Sequence, residues 1–149
     1  MNGVLSIYSG TPFWISAPAT ALDAPGSPQL ADQLKPNVKV YGAHGLASPY
    51  FDTSAFAPVN SARFGTSSFD PLRGPGYANF DFGLFRTFAI GEGFKGQFRM
   101  EALNLTNHPN FSNPDNGVAD PDFGLITSIN AGSRVIAERY FRLGLKLMF

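Results

Sequence analysis

The segment RYFRLGLKLMF, residues 139–149, decides how the fold is interpreted. Its apolar residues occupy every second position, so a β-strand would carry all of them on one face. We call them the terminal apolar row: Phe141, Leu143, Leu145, Leu147 and Phe149. Such a strand can be buried in a sandwich, but a wholly apolar face reaching the last residue is more typical of a strand that meets lipid.

Composition narrows the function classes. The chain has 149 residues, of which 44% are hydrophobic and 15% charged, with 11 basic and 11 acidic residues. This balance argues against nucleic-acid binding and against a basic membrane-binding patch. There is no cysteine in the sequence, which excludes disulfides and thiolate metal sites. No apolar run approaches the roughly 20 residues of a spanning helix, so any membrane crossing must use strands.

The distribution of proline divides the chain into strands and loops. All twelve prolines lie within residues 12–75 and 109–121. Because proline cannot donate to a β-ladder, paired strands are expected elsewhere. We predict an all-β fold, an antiparallel meander of four strands listed here as ranges: 3–15, 77–90, 94–105 and 138–149.

Two long connections follow from this assignment. Residues 17–76 and 106–138 would be loops, and FGLIT (123–127) a short β segment in the second one. Loops of this length count against a compact soluble domain. They are normal on the external side of an outer-membrane barrel, where tight turns lie on the periplasmic side. We therefore interpret residues 1–149 as part of one transmembrane barrel domain.

The central hairpin can be predicted in register. Phe80, Phe82 and Leu84 alternate with polar or small residues before GEG (91–93), and an alternating segment follows it. Both apolar patterns share a face only if the turn contains an odd number of residues, which places Leu84 opposite Met100. Gly93 is predicted to be left-handed. Arg86 falls on the apolar face, where it must snorkel or mark a bulge.

The opposite face supplies the candidate binding residues. Charge facing lipid near the midplane costs about 2–4 kcal/mol, so charged residues are predicted to face the lumen. The candidates are Lys95, Gln97, Arg99, Glu101, Arg142 and Lys146.

The remaining motifs are better explained by structural roles than by ligand binding or catalysis. GEGFKG (91–96) has the spacing of a dinucleotide-binding loop, but an alternating strand follows it instead of the helix that such a loop needs. The acidic segment NPDNGVADPDFG (113–124) lacks calcium-loop spacing and is better explained by turns. His44 and His108 are isolated, and no catalytic constellation is apparent. We expect no enzymatic activity, no metal site and no cofactor.

An ordered set of motifs resembles a known family. The motifs are SGTPF (9–13), LRGPGYANFDFGLFRTF (72–88), FRMEALNLTNHPNF (98–111), FGLIT (123–127) and FRLGLKLMF (141–149). Together they resemble the closing strands of TonB-dependent receptors, in particular large bacterial receptors with a carboxypeptidase-regulatory-like N-terminal domain. The resemblance implies a plugged outer-membrane barrel of about 22 strands, energised through TonB to import iron chelates or oligosaccharides. It also implies that the barrel-assembly machinery reads the terminal apolar row.

The sequence lacks several parts that receptors of that family contain. Four strands cannot close a barrel, and neither a plug, a TonB-interacting segment nor a signal peptide is recognisable. We therefore expect an internal start at Met1 and a C-terminal fragment of a longer receptor. Its expected partners are outer-membrane lipid, the assembly machinery and the rest of the barrel and plug, with TonB contacted only by other parts. The alternatives are a porin-like structural barrel segment and a soluble β-sandwich binding module.

Overall fold

A computed structural model describes residues 1–22, 28–130 and 137–149 of the chain. Its strands are β1 (Asn2–Tyr8), β2 (Pro12–Phe13), β3 (Asp32–Gln33), β4 (Phe56–Ala57), β5 (Leu72–Arg73), β6 (Tyr77–Gly91), β7 (Phe94–Leu103) and β8 (Tyr140–Met148). One 3-10 turn spans Thr53–Ala55. Among the described residues, no helix is long and apolar enough to span a membrane.

The four long strands form one antiparallel sheet in the order β1–β6–β7–β8. The pairs β2–β5 and β3–β4 form two small antiparallel ladders of their own. Within the described residues the large sheet is open, with β1 and β8 at its edges. The prediction of an all-β antiparallel meander is confirmed.

The chain divides into two compact units. The first, which we call the strand unit, contains Met1–Tyr8, Tyr77–Asn110 and Asn130–Phe149, and therefore the whole large sheet. The second, the loop unit, contains Ser9–Gly76 and Phe111–Ile129. Most of the predicted loop residues fold in the loop unit.

The β6–β7 hairpin has the predicted register. Leu84 lies opposite Met100. Gly93 has φ 82°, the left-handed conformation that a glycine adopts without steric cost. The turn itself is shorter than expected, because Gly91 already pairs with Phe94 and a bulge between Ala89 and Gly91 restores the parity.

Arg86 lies in an unbroken part of the β6–β7 ladder. It is opposite Phe98, on the apolar face, and its side chain is exposed. The alternative that Arg86 marks a bulge is therefore wrong, because the irregularity lies closer to the turn. Snorkelling of its guanidinium remains a prediction.

Two further local predictions were wrong. The first strand does not reach residue 15: it ends at Tyr8, and the chain beyond Gly10 pairs with β5 instead. FGLIT is a turn and an irregular segment, not a β segment, because Gly124 adopts φ 80°. Ile126 of this segment is buried in the core of the loop unit. Burial of an apolar residue therefore explains this motif without a strand.

The loop unit has its own hydrophobic core. Phe51 is fully buried at its centre. The centroid of its ring lies 6.0 Å from that of Phe13, 5.9 Å from that of Phe56 and 5.4 Å from that of Phe123. Other buried members are Ile15, Ala31, Tyr50, Ala55, Leu72 and Ile126. Removal of this apolar surface from water gives the long connections a defined fold.

Two ion pairs join separate segments of the loop unit. Arg63 donates from both terminal nitrogens to the Asp32 carboxylate, at 2.7 and 2.6 Å, and these bonds hold the pKa of Asp32 below its ordinary value. Lys35 Nζ donates to Asp52 at 2.6 Å and, with Ser54, lowers the pKa of that carboxyl. Burial raises the pKa of the Tyr50 hydroxyl.

Candidate functional site

The β7–β8 register places the six candidate residues on one face of the sheet. Residues directly opposite across a ladder share a face, as do residues two apart along a strand. Glu101 lies opposite Arg142, and Gln97 lies opposite Lys146. We call this set the polar face: Lys95, Gln97, Arg99, Glu101, Arg142 and Lys146. That it faces a lumen remains a prediction.

Side chains on the polar face are linked to one another. Arg142 Nη1 lies 3.5 Å from Glu101 Oε2, an ion pair in an exposed setting. Arg99 donates from Nε to Gln97 Oε1 at 2.7 Å, and its Cζ lies 5.7 Å from the centre of the Phe85 ring. These contacts hold the guanidinium of Arg99 on the polar face between two neighbours.

The opposite face of the same ladder is apolar and exposed. Phe98 lies opposite Leu145, and Met100 lies opposite Leu143. The two leucines are 66% and 67% exposed, respectively. An extended apolar surface of this kind is unfavourable in water and marks a contact with lipid or protein. The terminal apolar row is therefore one part of a larger exposed apolar face.

The other strands continue this division. Leu5 and Ile7 of β1 lie opposite Phe80 and Ala78 of β6, on the apolar face, and both are exposed. Asn79 of β6 points to the other face, because side chains alternate along a strand. All four strands thus contribute an apolar surface to the same side of the sheet.

Asn104 organises the chain where β7 ends. It adopts φ 49° and is 1% exposed. Its backbone N–H donates to Asp81 Oδ1 at 2.8 Å, and its side-chain amide donates to the carbonyls of His108 and Ala137 at 3.0 and 2.9 Å. Its Oδ1 accepts from the N–H of His108 at 3.1 Å. One side chain therefore fixes both the exit from β7 and the approach to β8.

Two further asparagines fix neighbouring backbone groups. Asn110 accepts from the N–H of Ala78 at 2.8 Å and donates to its carbonyl at 3.0 Å, at the start of β6. Asn107 accepts from the N–H of Arg139 at 3.3 Å. These roles were not predicted from the sequence. The sequence feature that could have indicated them is the spacing of three asparagines at three-residue intervals directly after a strand, where asparagine often adopts left-handed backbone.

The isolated motifs have structural surroundings. His44 stacks on Phe111, with ring centroids 4.3 Å apart. Asp115 accepts from the N–H of Gly117 at 3.1 Å, as expected of turn chemistry. In residues 1–22, 28–130 and 137–149, no group of three or more His, Cys, Asp or Glu side chains is placed to hold a metal ion.

Comparison with known families adds independent information. The model of a family described as "Outer membrane beta barrel domain" matches residues 1–137. The matched region includes β1, β6 and β7 and ends before β8 begins at Tyr140. The assignment of β8 to the same wall follows from its ladder with β7. Searches of curated proteins and of solved structures return no match.

Proposed function

The chain belongs to the outer membrane beta barrel domain family, and from this membership we propose that its long strands are closing strands of a TonB-dependent receptor. The protein is located in the bacterial outer membrane, where these strands form barrel wall. The finer assignment to TonB-dependent uptake is supported by the ordered motifs, which extend from SGTPF (9–13) to FRLGLKLMF (141–149).

The observation that carries the proposal is the two-faced sheet. The apolar face suits hydrocarbon, and the polar face suits a lumen, since strands of outer-membrane barrels alternate between the two environments. A soluble β-sandwich would cover the apolar face with protein. Its leucines are instead exposed in the structure, which favours the barrel over the sandwich.

The edges of the sheet require further strands. Unpaired backbone groups cost several kcal/mol each in hydrocarbon, so β1 and β8 must pair with strands outside the described sheet. In the proposed receptor those strands belong to the rest of the barrel. The other partners are outer-membrane lipid, a plug, the barrel-assembly machinery and, through the plug region, TonB.

Orientation follows from the length of the connections. The β6–β7 turn is short, as periplasmic turns are, and we assign it to the periplasmic side. Residues 17–76 and 106–138 are then external. We propose that they contribute to the entrance for an iron chelate or an oligosaccharide. The role of the chain in this proposal is that of wall and entrance, without enzymatic activity or a cofactor.

Conductance in planar lipid bilayers tests the proposal against the porin-like alternative. The protein that contains this chain is purified from outer membranes and inserted in its native state. A plugged receptor gives no stable open-pore current until urea unfolds the plug. A current from the moment of insertion, unaffected by urea, would favour a porin-like barrel and contradict the TonB-dependent assignment.

A further inference from the structure

Gly144 leaves a gap in the polar face that the sheet itself does not require. Glycine weakens a strand interior and often marks a close approach by another group. Its φ is not positive, and an added Cβ would meet only the Cβ of Arg99, at an ordinary 3.9 Å. In contrast, Gly96 is crowded by the Phe88 ring at 2.7 Å. Neither backbone conformation nor packing among the described residues explains glycine at position 144.

The gap has three positively charged neighbours and one negatively charged neighbour on the polar face. Arg99 lies directly opposite Gly144, while Arg142 and Lys146 lie two residues away on either side along β8. Such neighbours on one face are roughly 5–8 Å apart. The Glu101 carboxylate is a diagonal neighbour of Gly144 and forms an exposed ion pair with Arg142 at 3.5 Å, so the net charge around the gap is positive. Lys146 has no ion-pair partner in the part of the chain that the structure describes.

Arg99 is positioned to bind rather than merely to be solvated. Its Nε is hydrogen-bonded to Gln97 and its guanidinium lies near the Phe85 ring. Its Nη1 and Nη2 groups make no hydrogen bond to any described residue. A guanidinium held in this way loses less conformational freedom on binding, and its planar fork matches a carboxylate or phosphate group.

We propose that the gap at Gly144 binds a carboxylate or phosphate group of an anionic solute, between Arg99, Arg142 and Lys146. The free fork of Arg99 donates to the oxyanion. Lys146 supplies a second positive charge, and Arg142, which is exposed and shared with Glu101, supplies a third. The gap has the size of one missing side chain, which suits a single oxyanion group. The inference rests on the proposed function, because the polar face must line the lumen to meet a solute.

Citrate serves as the probe. The protein that contains this chain, labelled with 15N and folded in micelles of a zwitterionic detergent, is titrated with citrate at constant ionic strength. We expect saturable chemical-shift changes at the Gly144 amide and the Arg99 Nε–H. Gly144→Leu, which fills the gap without changing charge, should weaken binding by about tenfold or more, and Arg99→Gln should do the same.

Two variants make the result decisive. Gly144→Ala makes only ordinary contacts, so it should fold and bind with intermediate affinity even if Gly144→Leu fails to fold. Lys39→Gln, in the loop unit, removes one positive charge elsewhere and should leave binding unchanged. Equal affinity in wild type, Gly144→Ala and Arg99→Gln would overturn the proposal. So would binding of a hexaglutamate peptide that citrate does not displace, which would indicate a polypeptide partner.

This test is separate from that of TonB-dependent uptake. Citrate binding needs neither a plug nor an energised membrane. Loss of binding together with a urea-gated conductance would overturn the anion site alone. Binding together with a constitutive current would retain the anion site and overturn the receptor assignment.

Discussion

Replacing Asn104 by alanine should destabilise the sheet more than its position after a strand would suggest. The side chain is buried, and it donates to the carbonyls of His108 and Ala137 while accepting from the N–H of His108. Alanine would remove these bonds and the one that Asn104 Oδ1 accepts from Thr106 Oγ1 at 3.4 Å. The Ala137 carbonyl and the His108 N–H would lose these partners, whereas the His108 carbonyl would keep its contact with Asn110 Nδ2 at 3.5 Å. Alanine would also have to adopt φ 49°, which is sterically unfavourable for a residue with a Cβ, without the side-chain hydrogen bonds by which asparagine offsets that cost.

The magnitude follows from these two losses. A buried polar group left without a partner costs about 1–3 kcal/mol, and the left-handed conformation costs about 1–2 kcal/mol for a residue such as alanine. We therefore expect Asn104→Ala to lower the free energy of unfolding by about 2–5 kcal/mol. Asn104→Gly loses the same side-chain bonds, but glycine adopts the left-handed conformation without steric cost. It should therefore destabilise the protein by about 1 kcal/mol less than alanine.

Urea unfolding of the protein that contains this chain, in detergent micelles, measures both differences. Circular dichroism near 215 nm follows the sheet, and the mobility of unheated samples in electrophoresis gives the folded fraction independently. An effect of Asn104→Ala within about 0.5 kcal/mol of wild type would refute the argument. Equal effects of alanine and glycine would refute the conformational part alone.

Three further predictions address other parts of the chain. Because its pKa is lowered in the folded state, Asp32 contributes stability that is complete above its ordinary pKa of 3.8 and lost as pH falls through the folded value. The wild-type loop unit should therefore become more susceptible to limited proteolysis at acid pH, and the Asp32→Asn variant should be equally susceptible already at neutral pH. Equal resistance of wild type and Asp32→Asn to proteolysis at neutral pH would contradict this. Gly93 has φ 82°, so Gly93→Val should destabilise the hairpin by at least about 1 kcal/mol in urea unfolding. An unchanged urea midpoint of unfolding would show that this turn position does not require glycine. Deletion of Phe149 should reduce the heat-modifiable folded fraction in outer membranes far more than Met148→Gln on the opposite face, and equal yields would remove the assembly signal.

The sheet was predictable because its signal is local. Period-two alternation and the parity rule for the turn suffice to pair Leu84 with Met100 before any coordinates are known. The same alternation places the side chains of Lys146 and Leu145 on opposite faces of the sheet. Side-chain direction in a strand depends only on position, so the two faces could be assigned from the sequence.

The loop unit was not predictable in this way. Its core gathers Phe13, Phe51 and Ile126, which are far apart in sequence and lie in segments without a repeating apolar pattern. The hydrogen bonds of Asn104 likewise join backbone groups that become neighbours only once the strands are paired. Long-range packing and capping of this kind leave no periodic trace in a single sequence. FGLIT was misassigned for the same reason, because its apolar residue is buried by a turn.

Accessibility along β8 tests the central claim, that the sheet is a barrel wall with one face in lipid. The chain itself contains no cysteine, so a single cysteine introduced at each position from 142 to 147 can carry a nitroxide at one defined site of the chain. Power saturation in outer-membrane vesicles then compares collision with oxygen, which concentrates in lipid, and with a water-soluble nickel chelate. We expect accessibility to alternate with a period of two residues, with oxygen favoured at odd positions and the nickel chelate at even positions. The reverse phase, or access of the nickel chelate to both faces, would contradict it.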